Sequence, residues 1–213
     1  MAEQFTPDNH HDMVRFEIMK QFGYFVTESS EHSSEYYPWF IKKDHPELID
    51  RFHIPLDEYP RRCRDQIARW KQQAEHLVHN ENLTHTRSSE YAAGIIEALE
   101  TGRTFGFAGN VLNTGLIDNL PFDACVEVSC MVNEGHLSPC HMGPLPNQLA
   151  ALNRRQIEVH QLTVDAALTR KKEYIYQAAM LDPHAGSELT IDEIRSLVDD
   201  LIQAHGDWLP EYH

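Results

Sequence analysis

The chain has 213 residues, 41% of them hydrophobic, which is enough apolar material for one folded domain. Its formal net charge is −15, from 18 Lys and Arg residues against 33 Asp and Glu residues. Nucleic acids and anionic membrane surfaces attract clusters of Lys and Arg, so this balance argues against both as partners. It favours neutral or cationic ligands instead.

Three further features of the sequence indicate a cytoplasmic location. Residues 1–12 are polar and acidic and lack the pattern of a secretory signal. No stretch approaches the roughly 20 continuous apolar residues that a membrane-spanning helix needs. The four cysteines are too few and too unevenly spaced for a secreted disulfide scaffold, which favours a reducing compartment.

The first part of the chain predicts a helix, a short strand and a polar loop. Residues 8–22 place apolar side chains at three-to-four spacing, which predicts a helix that Gly23 ends. Residues 24–26 favour a short strand. Residues 27–36 then form a predicted loop with three carboxylates, one histidine and four serines.

The composition of this loop is that of a sugar-binding site. Carboxylates accept protons or hydroxyl hydrogen bonds, an imidazole can move protons or bind metal, and nearby aromatic faces can cover a pyranose ring. Runs of serine and glutamate are also common in loops that only face solvent. Both interpretations stay open at this point.

The rest of the chain alternates between helical and extended patterns. Residues 56–78 predict a long amphipathic helix, residues 80–86 a polar turn, and Ser88 or Ser89 the start of a helix that Gly102 ends. Three short extended runs follow: 105–107, 126–132 and 137 onward, with a hairpin turn at 133–135. Helices are predicted over 146–180, with possible breaks, and over 190–204, where Thr190 and Glu193 form a capping box.

This order of elements predicts an α+β fold, with helices packed around a small antiparallel sheet. The chain contains neither a Gly-x-Gly-x-x-Gly turn between a strand and a helix nor a Walker loop. We therefore expect it to bind no dinucleotide pyrophosphate by either of these routes.

Two segments of the sequence are specific enough to indicate a protein family. They are Gly-Asn-Val-Leu-Asn-Thr-Gly-Leu-Ile-Asp-Asn-Leu-Pro at 109–121 and Ala-Ala-Met-Leu-Asp-Pro-His at 178–184. With them and the segment 23–39, the chain resembles the C-terminal half of glycoside hydrolase family four, in its bacterial α-galactosidase (melibiase) branch. The resemblance covers essentially the whole chain. It implies an α+β domain like that of lactate and malate dehydrogenases, and an NAD-binding Rossmann domain outside residues 1–213.

The resemblance also implies a redox mechanism that differs from the usual two-carboxylate scheme. NAD accepts hydride from C3 of the sugar, and a divalent metal, usually manganese, polarises the resulting ketone. A base removes the C2 proton, the aglycone leaves by elimination, water adds, and the ketone is reduced. The family's metal ligands, a cysteine and a histidine, lie upstream of this segment. We therefore expect no metal ligand here, and neither NAD nor Mn²⁺ to be held by this chain alone.

Candidate site residues come mainly from the polar loop. Other branches of the family use tyrosine or aspartate as the C2 base, whereas this chain offers Glu28, with Glu31 as the rival. The further candidates for substrate contact are Ser30, His32, Glu35, Tyr36, Arg87 and Asn119. Asn119 is also a candidate for facing the nicotinamide.

Each of these residues has a structural alternative. His32 can be an exposed loop histidine, Tyr36 part of a buried aromatic anchor, and Arg87 an ordinary surface residue. Asn113, Gly115 and Asn119 can simply form a tight turn, because Asn and Gly tolerate left-handed backbone.

The predicted function is the C-terminal part of an NAD- and Mn-dependent α-galactosidase that acts on α-galactosides such as melibiose. The alternative is a catalytically silent sugar-binding or oligomerisation fragment without nucleotide and metal. Separation from its partner half would expose an apolar face, so we expect a homo-oligomer.

Overall fold

The computed structural model describes residues 10–80, 82, 84, 86 and 88–213. It has helices α1 (Met13–Phe22), α2 (Ser30–Tyr36), α3 (Glu47–Arg51), α4 (Glu58–His79) and α5 (Ala92–Thr101), strands β1 (Phe105–Leu112), β2 (Cys125–Asn133) and β3 (His136–Pro139), then helices α6 (Asn147–Thr169), α7 (Lys172–Leu181), α8 (Ala185–Glu188) and α9 (Ile191–His205). The strands form one antiparallel sheet in the order β1-β2-β3. The predicted α+β fold is confirmed. Within the described residues, no helix is both long and apolar enough to span a membrane.

Helices α1 to α3 enclose an aromatic and aliphatic core. Its buried members are Val14, Ile18, Phe40, Phe52 and Ile54. Gly23 ends α1 in left-handed backbone at φ 82°, and its N–H donates to the Met19 carbonyl, as the sequence predicts. The Ser30 hydroxyl accepts a hydrogen bond from the Arg15 N–H at 3.3 Å and so joins α1 to α2.

The predictions of a strand at 24–26 and a loop at 27–36 are wrong. Residues 24–26 pair with no strand in the described part of the chain, and Arg15 Nε instead donates to the Val26 carbonyl at 3.0 Å. The polar stretch forms α2, because the Ser29 hydroxyl accepts a hydrogen bond from the His32 N–H at 3.2 Å and so caps the helix. A capping serine therefore converts a stretch that resembles a loop in composition into a helix.

The sheet buries one face and exposes the other. On β2 the buried residues alternate as Val126, Val128, Cys130 and Val132. The hairpin after β2 turns through positive φ at Glu134 and Gly135, as predicted. Strand β1 is longer than the predicted 105–107 and continues through Gly109. Gly109 allows close packing against β2, because a Cβ there would lie 3.1 Å from the Cys130 sulfur.

The C-terminal helices pack as a separate layer. The predicted helix 146–180 divides into α6 and α7 at Arg170, which has a φ of 61°. Lys172 Nζ and the Tyr176 hydroxyl both donate to Asp199 Oδ1, at 2.8 and 2.5 Å, and join α7 to α9. The predicted capping box of α9 is confirmed, since Thr190 and Glu193 each bond the other's backbone N–H.

A long-range ion pair ties this layer to the N-terminal helices. Lys42 pairs with Glu188 on α8, and the Lys43 N–H donates to Glu188 Oε2 at 2.9 Å. The hydrogen bond from Lys42 and then the backbone bond from Lys43 lower the pKa of Glu188 to about 2.

Candidate functional site

Helix α2 separates two cavities and contributes to both. The first, here called the Glu28 cavity, has a volume of about 540 Å³. The second, the Glu31 cavity, has a volume of about 410 Å³. Of the candidates predicted from residues 27–36, Glu28 and Tyr36 line the first cavity and Ser30 and Glu31 line the second. His32 and Glu35 line neither of these two cavities.

The Glu28 cavity combines aromatic, amide and carboxylate side chains. Its polar and aromatic lining comes from the segment before α2, the end of α2, strand β1 and helix α6: Tyr24, Phe25, Thr27, Glu28, Tyr36, Tyr37, Asn110, Asn153, Gln156 and His160. Apolar residues such as Leu145 and Leu149 complete the wall. Aromatic faces with convergent amides and one carboxylate can hold a polyhydroxylated ligand.

Hydrogen bonds between distant segments hold this cavity together. Gln156 Nε2 on α6 donates to the Tyr36 carbonyl at the end of α2, at 3.1 Å. Gln148 Nε2 donates to the Phe22 carbonyl at 3.2 Å. At the near wall, Glu28 Oε1 accepts from the Ser29 N–H at 2.7 Å, which orients the carboxylate at the start of α2.

The tyrosines of the Glu28 cavity favour their neutral form. Burial raises the pKa of Tyr37. Burial also raises the pKa of Tyr36, and the carboxylates of Glu28 and Glu35 raise it further. Neutral phenols donate hydrogen bonds and are poor proton acceptors at neutral pH. Compared with these phenols, the exposed carboxylate of Glu28 is the better proton acceptor at neutral pH.

The three acids that line the Glu31 cavity, Asp12, Glu31 and Glu58, each lie near an arginine. Arg15 Nη1 lies 3.0 Å from Asp12 Oδ1, and Arg61 pairs with Glu58. Glu31 Oε2 lies 4.0 Å from Arg62 Nη1. These pairs leave fewer free donors and acceptors for a ligand than the Glu28 cavity does.

Ser30 also faces the N-terminal helices. It is buried, it lines the Glu31 cavity, and its hydroxyl accepts from the Arg15 N–H at 3.3 Å. Arg87, the remaining polar candidate upstream of the sheet, lies outside the described residues.

His32 and Glu35 form an ion pair on α2. Nδ1 of His32 lies 3.0 Å from Oε2 of Glu35, and this hydrogen bond is the main cause that raises the pKa of His32. One ligand atom from each of Glu31, His32 and Glu35 lies within 4.8 Å of the others. The raised pKa favours a protonated imidazole, which cannot ligate a metal, so this trio fits the ion pair better than a manganese site.

Asn119 and Asn113 build the turn that follows β1. The Asn119 side chain donates to the Leu145 carbonyl at 2.8 Å and accepts from the Leu145 N–H at 2.9 Å. Asn113 is fully buried, and its amide nitrogen donates to the carbonyls of Ile117, Leu120 and Pro121. These bonds match the structural alternative for both residues. The prediction that Asn119 contacts sugar or nicotinamide stays a prediction.

Sequence reasoning missed the wall that β1 and α6 contribute. Asn110 lies within the 109–121 segment, but the sequence alone assigned it no role. On α6, Asn153, Gln156 and His160 recur at spacings of three and four, which places them on one face. A polar stripe at helical spacing beside the apolar residues Leu149 and Leu152 was the signal that could have found this wall.

Comparison with known proteins identifies the family. A family model described as the C-terminal domain of family 4 glycosyl hydrolases matches residues 1–185. An α-galactosidase of Bacillus subtilis strain 168 is 59% identical over 211 residues, covering 99% of this chain and 49% of that protein. An α-galactosidase of Rhizobium meliloti strain 1021 is 32% identical over 212 residues, covering 94% and 43%. The chain thus spans about half the length of these relatives.

Solved structures support the fold. The lplD protein of Bacillus subtilis superposes with a TM-score of 0.79 at 21% identity, covering 92% of this chain and 44% of that one. A 6-phospho-α-glucosidase from gut microorganisms, solved with NAD and Mn²⁺, superposes with a TM-score of 0.64 at 21% identity, covering 93% and 44%. At these identities the likeness concerns the fold alone.

Proposed function

The chain belongs to glycosyl hydrolase family 4, whose C-terminal domain it contains, and from this we propose that it supplies the sugar-binding part of an α-galactosidase. The proposal is supported by 59% identity to a Bacillus subtilis α-galactosidase over 99% of the chain. The observation that carries it is the Glu28 cavity. Its volume of about 540 Å³ lies within the usual range of sites for small molecules.

The proposed ligand is an unphosphorylated α-galactoside. The described residues that line the Glu28 cavity include no Lys or Arg, so this lining offers a sugar phosphate no permanently charged cation. The Glu28 carboxylate would also repel one. A neutral hexose meets neither obstacle, because its hydroxyls can bond to the carboxylate and to the amides of Asn110 and Gln156.

Glu28 is the proposed base that removes the proton from C2 of the sugar. It lines the cavity, its orientation is fixed by the Ser29 N–H, and the pKa values of the neighbouring phenols are raised. Glu31 lies in the other cavity, next to Arg62. NAD and a divalent metal, bound by parts of the enzyme outside this chain, would oxidise C3 and polarise the resulting carbonyl.

The aromatic and amide residues are proposed to hold the sugar. The rings of Tyr24, Tyr36 and Tyr37 offer apolar faces to one side of a pyranose. Asn110, Asn153 and Gln156 offer donors and acceptors to its hydroxyls. The proposed role of this chain in the reaction is therefore to bind and orient the sugar ring and to accept one proton.

Sugar binding by the chain alone tests this proposal. Saturation-transfer NMR should detect methyl α-galactoside bound to residues 1–213, and galactose 6-phosphate should compete at least tenfold less well. Gln156→Ala should weaken galactoside binding about fivefold to tenfold, since one hydrogen bond contributes about 1 kcal/mol. The control Gln73→Ala changes an exposed amide on α4 and should have no effect.

Two results would contradict the proposal. One is stronger binding of the phosphorylated sugar than of the galactoside. The other is equal galactoside binding by the Gln156→Ala and Gln73→Ala variants.

A further inference from the structure

Helix α4 exposes an apolar stripe along its whole length. The helix spans 22 residues, and none of them is buried. Five residues at alternating spacings of four and three form this stripe, here called the α4 seam: Cys63, Ile67, Trp70, Ala74 and Leu77. Ile67 is 58% exposed and Trp70 is 66% exposed. Most of the stability of a helix in a protein comes from packing its apolar face. We therefore expect another protein surface to cover the α4 seam.

A second apolar surface lies between the C-terminal helices. It is a groove of about 400 Å³, here called the C-terminal groove, formed by α6, α7, α9 and the residues after α9. Most of its lining is apolar: Val159, Ala166, Ala167, Ile175, Ala178, Ala179, Val198, Leu201, Ile202 and Leu209. Leu201, at its edge, is 49% exposed. The groove can accept the apolar side of an amphipathic helix.

The helices that carry the two surfaces differ in the sign of their charge. Helix α4 contains five Lys and Arg residues against three acids, Glu58, Asp65 and Glu75; the basic residues are Arg61, Arg62, Arg64, Arg69 and Lys71. Helix α9 and the turn after it contain five acidic residues: Asp192, Glu193, Asp199, Asp200 and Asp207. The basic residues of α4 stand out in a chain whose net charge is −15. These five acids lie beside the groove rather than in its lining, and α9 also carries one basic residue, Arg195. The excess positive charge of α4 and the excess negative charge of α9 attract each other before the surfaces touch.

Charge also argues against pairing of two α4 helices with each other. Arg64 and Lys71 directly follow the seam residues Cys63 and Trp70, so they border the seam on the same side. In an antiparallel pair these two positions face each other across the interface, and like charges would oppose. The opposite border of the seam offers only the neutral amides of Gln66 and Gln73.

We propose that the α4 seam of one copy of this chain binds in the C-terminal groove of a second copy. Each copy carries both surfaces, so a two-fold dimer can form the contact twice. The contact includes no residue of the Glu28 cavity, and the inference therefore does not depend on the proposed function. Because charge attraction contributes, added salt should weaken the association.

Sedimentation velocity of the chain tests the association. The natural chain should sediment as a dimer or larger assembly. Trp70→Glu places a charge in the seam, Leu201→Glu places one at the groove edge, and each should weaken self-association at least tenfold. Gln72→Glu makes the same change on the polar face of α4 and should leave the assembly intact. Circular dichroism verifies folding, and Leu201→Gln replaces Leu201→Glu if the latter unfolds.

Mixing the two variants identifies the contact. The Trp70→Glu variant keeps an intact groove and the Leu201→Glu variant keeps an intact seam, so an equimolar mixture should form a heterodimer. Pairing of α4 with α4 predicts no recovery on mixing. The proposal is overturned by a monomeric natural chain, by variants that still assemble, or by a mixture that stays monomeric.

Discussion

The two cavities beside α2 show that the same residue types can be arranged for different purposes. The Glu31 cavity is built from neighbouring helices, and its acids face Arg15, Arg61 and Arg62. The Glu28 cavity is built from segments up to 142 residues apart, Ile18 to His160, and the acid among its described lining residues, Glu28, shares the cavity with phenols and amides. A carboxylate that already has a cationic partner mainly stabilises the fold, whereas a carboxylate among neutral donors is available to bind a ligand.

The largest expected difference between the cavities is the effect of a substitution on turnover. We expect Glu28→Gln to lower turnover at least ~100-fold, because a general base typically contributes about 10²- to 10⁴-fold. Glu31→Gln should change turnover less than tenfold. Both variants are measured in a chimera that joins residues 1–213 to the N-terminal half of the Bacillus subtilis α-galactosidase, and exchange of the C2 hydrogen with solvent reports the proton transfer.

The control for this experiment is residues 1–213 without the N-terminal half of the Bacillus subtilis α-galactosidase. With NAD, Mn²⁺ and a thiol reductant it should hydrolyse no galactoside. Turnover by the chain alone, or equal losses from Glu28→Gln and Glu31→Gln, would contradict the assignment of roles to the two cavities.

A second difference concerns how each cavity is held. Asn113 makes four side-chain hydrogen bonds that shape the turn after β1, and this turn positions Leu145 through Asn119. Asn113→Ala should lower the free energy of unfolding by about 2–4 kcal/mol, because it leaves several buried groups unpaired. Urea denaturation measures this loss.

Chemical shifts then show where the damage spreads. In Asn113→Ala, amide signals around Leu145 and Asn153 in the Glu28 cavity should move, and those around Ser30 and Ile54 in the Glu31 cavity should not. A loss below 1 kcal/mol, or equal movement on both sides of α2, would show that the turn does not support the Glu28 cavity in particular.

The smallest expected effect is a pH dependence from α2 itself. The hydrogen bond from Glu35 raises the pKa of His32 above its ordinary value of 6.5. The pair therefore stabilises the fold fully below pH 6.5, and this contribution is lost as the pH rises through the raised pKa. Glu35→Gln should lower the melting temperature slightly at pH 6 and leave it unchanged at pH 8.5. A loss that is greater at pH 8.5 would contradict the assignment.

Local signals in the sequence predicted much of the fold. Gly23, Gly102 and the Thr190–Glu193 capping box marked helix ends correctly, because each acts through backbone groups within four residues. The polar stretch 27–36 was predicted to be a loop, because its composition is typical of loops. The signal for a helix was a single capping residue, Ser29. Periodicity predicted α4 but not its exposure, because a helical stripe does not reveal what covers it.

The candidate site was predictable only in part. Glu28 and Tyr36 came from a continuous segment and do line one cavity. Asn110 reaches that cavity from β1, and Asn153 and His160 reach it from α6, so only tertiary packing brings these residues together. Sequence reasoning could not separate Glu28 from Glu31, because the direction of each side chain depends on the helix that residues 30–36 form.

The ion pair between Lys42 and Glu188 has a consequence for how the protein forms during translation. The aromatic cluster that includes Val14 and Ile54 can close early, whereas the bond from the Lys43 N–H requires Glu188, 145 residues further on. At about 5–20 residues per second, a ribosome takes roughly 7–30 s to make that stretch. Throughout this interval the nascent N-terminal helices lack the contact with Glu188, and for most of it they also lack the bonds from Gln148 and Gln156 on α6. A chaperone that binds these helices would act in the same interval.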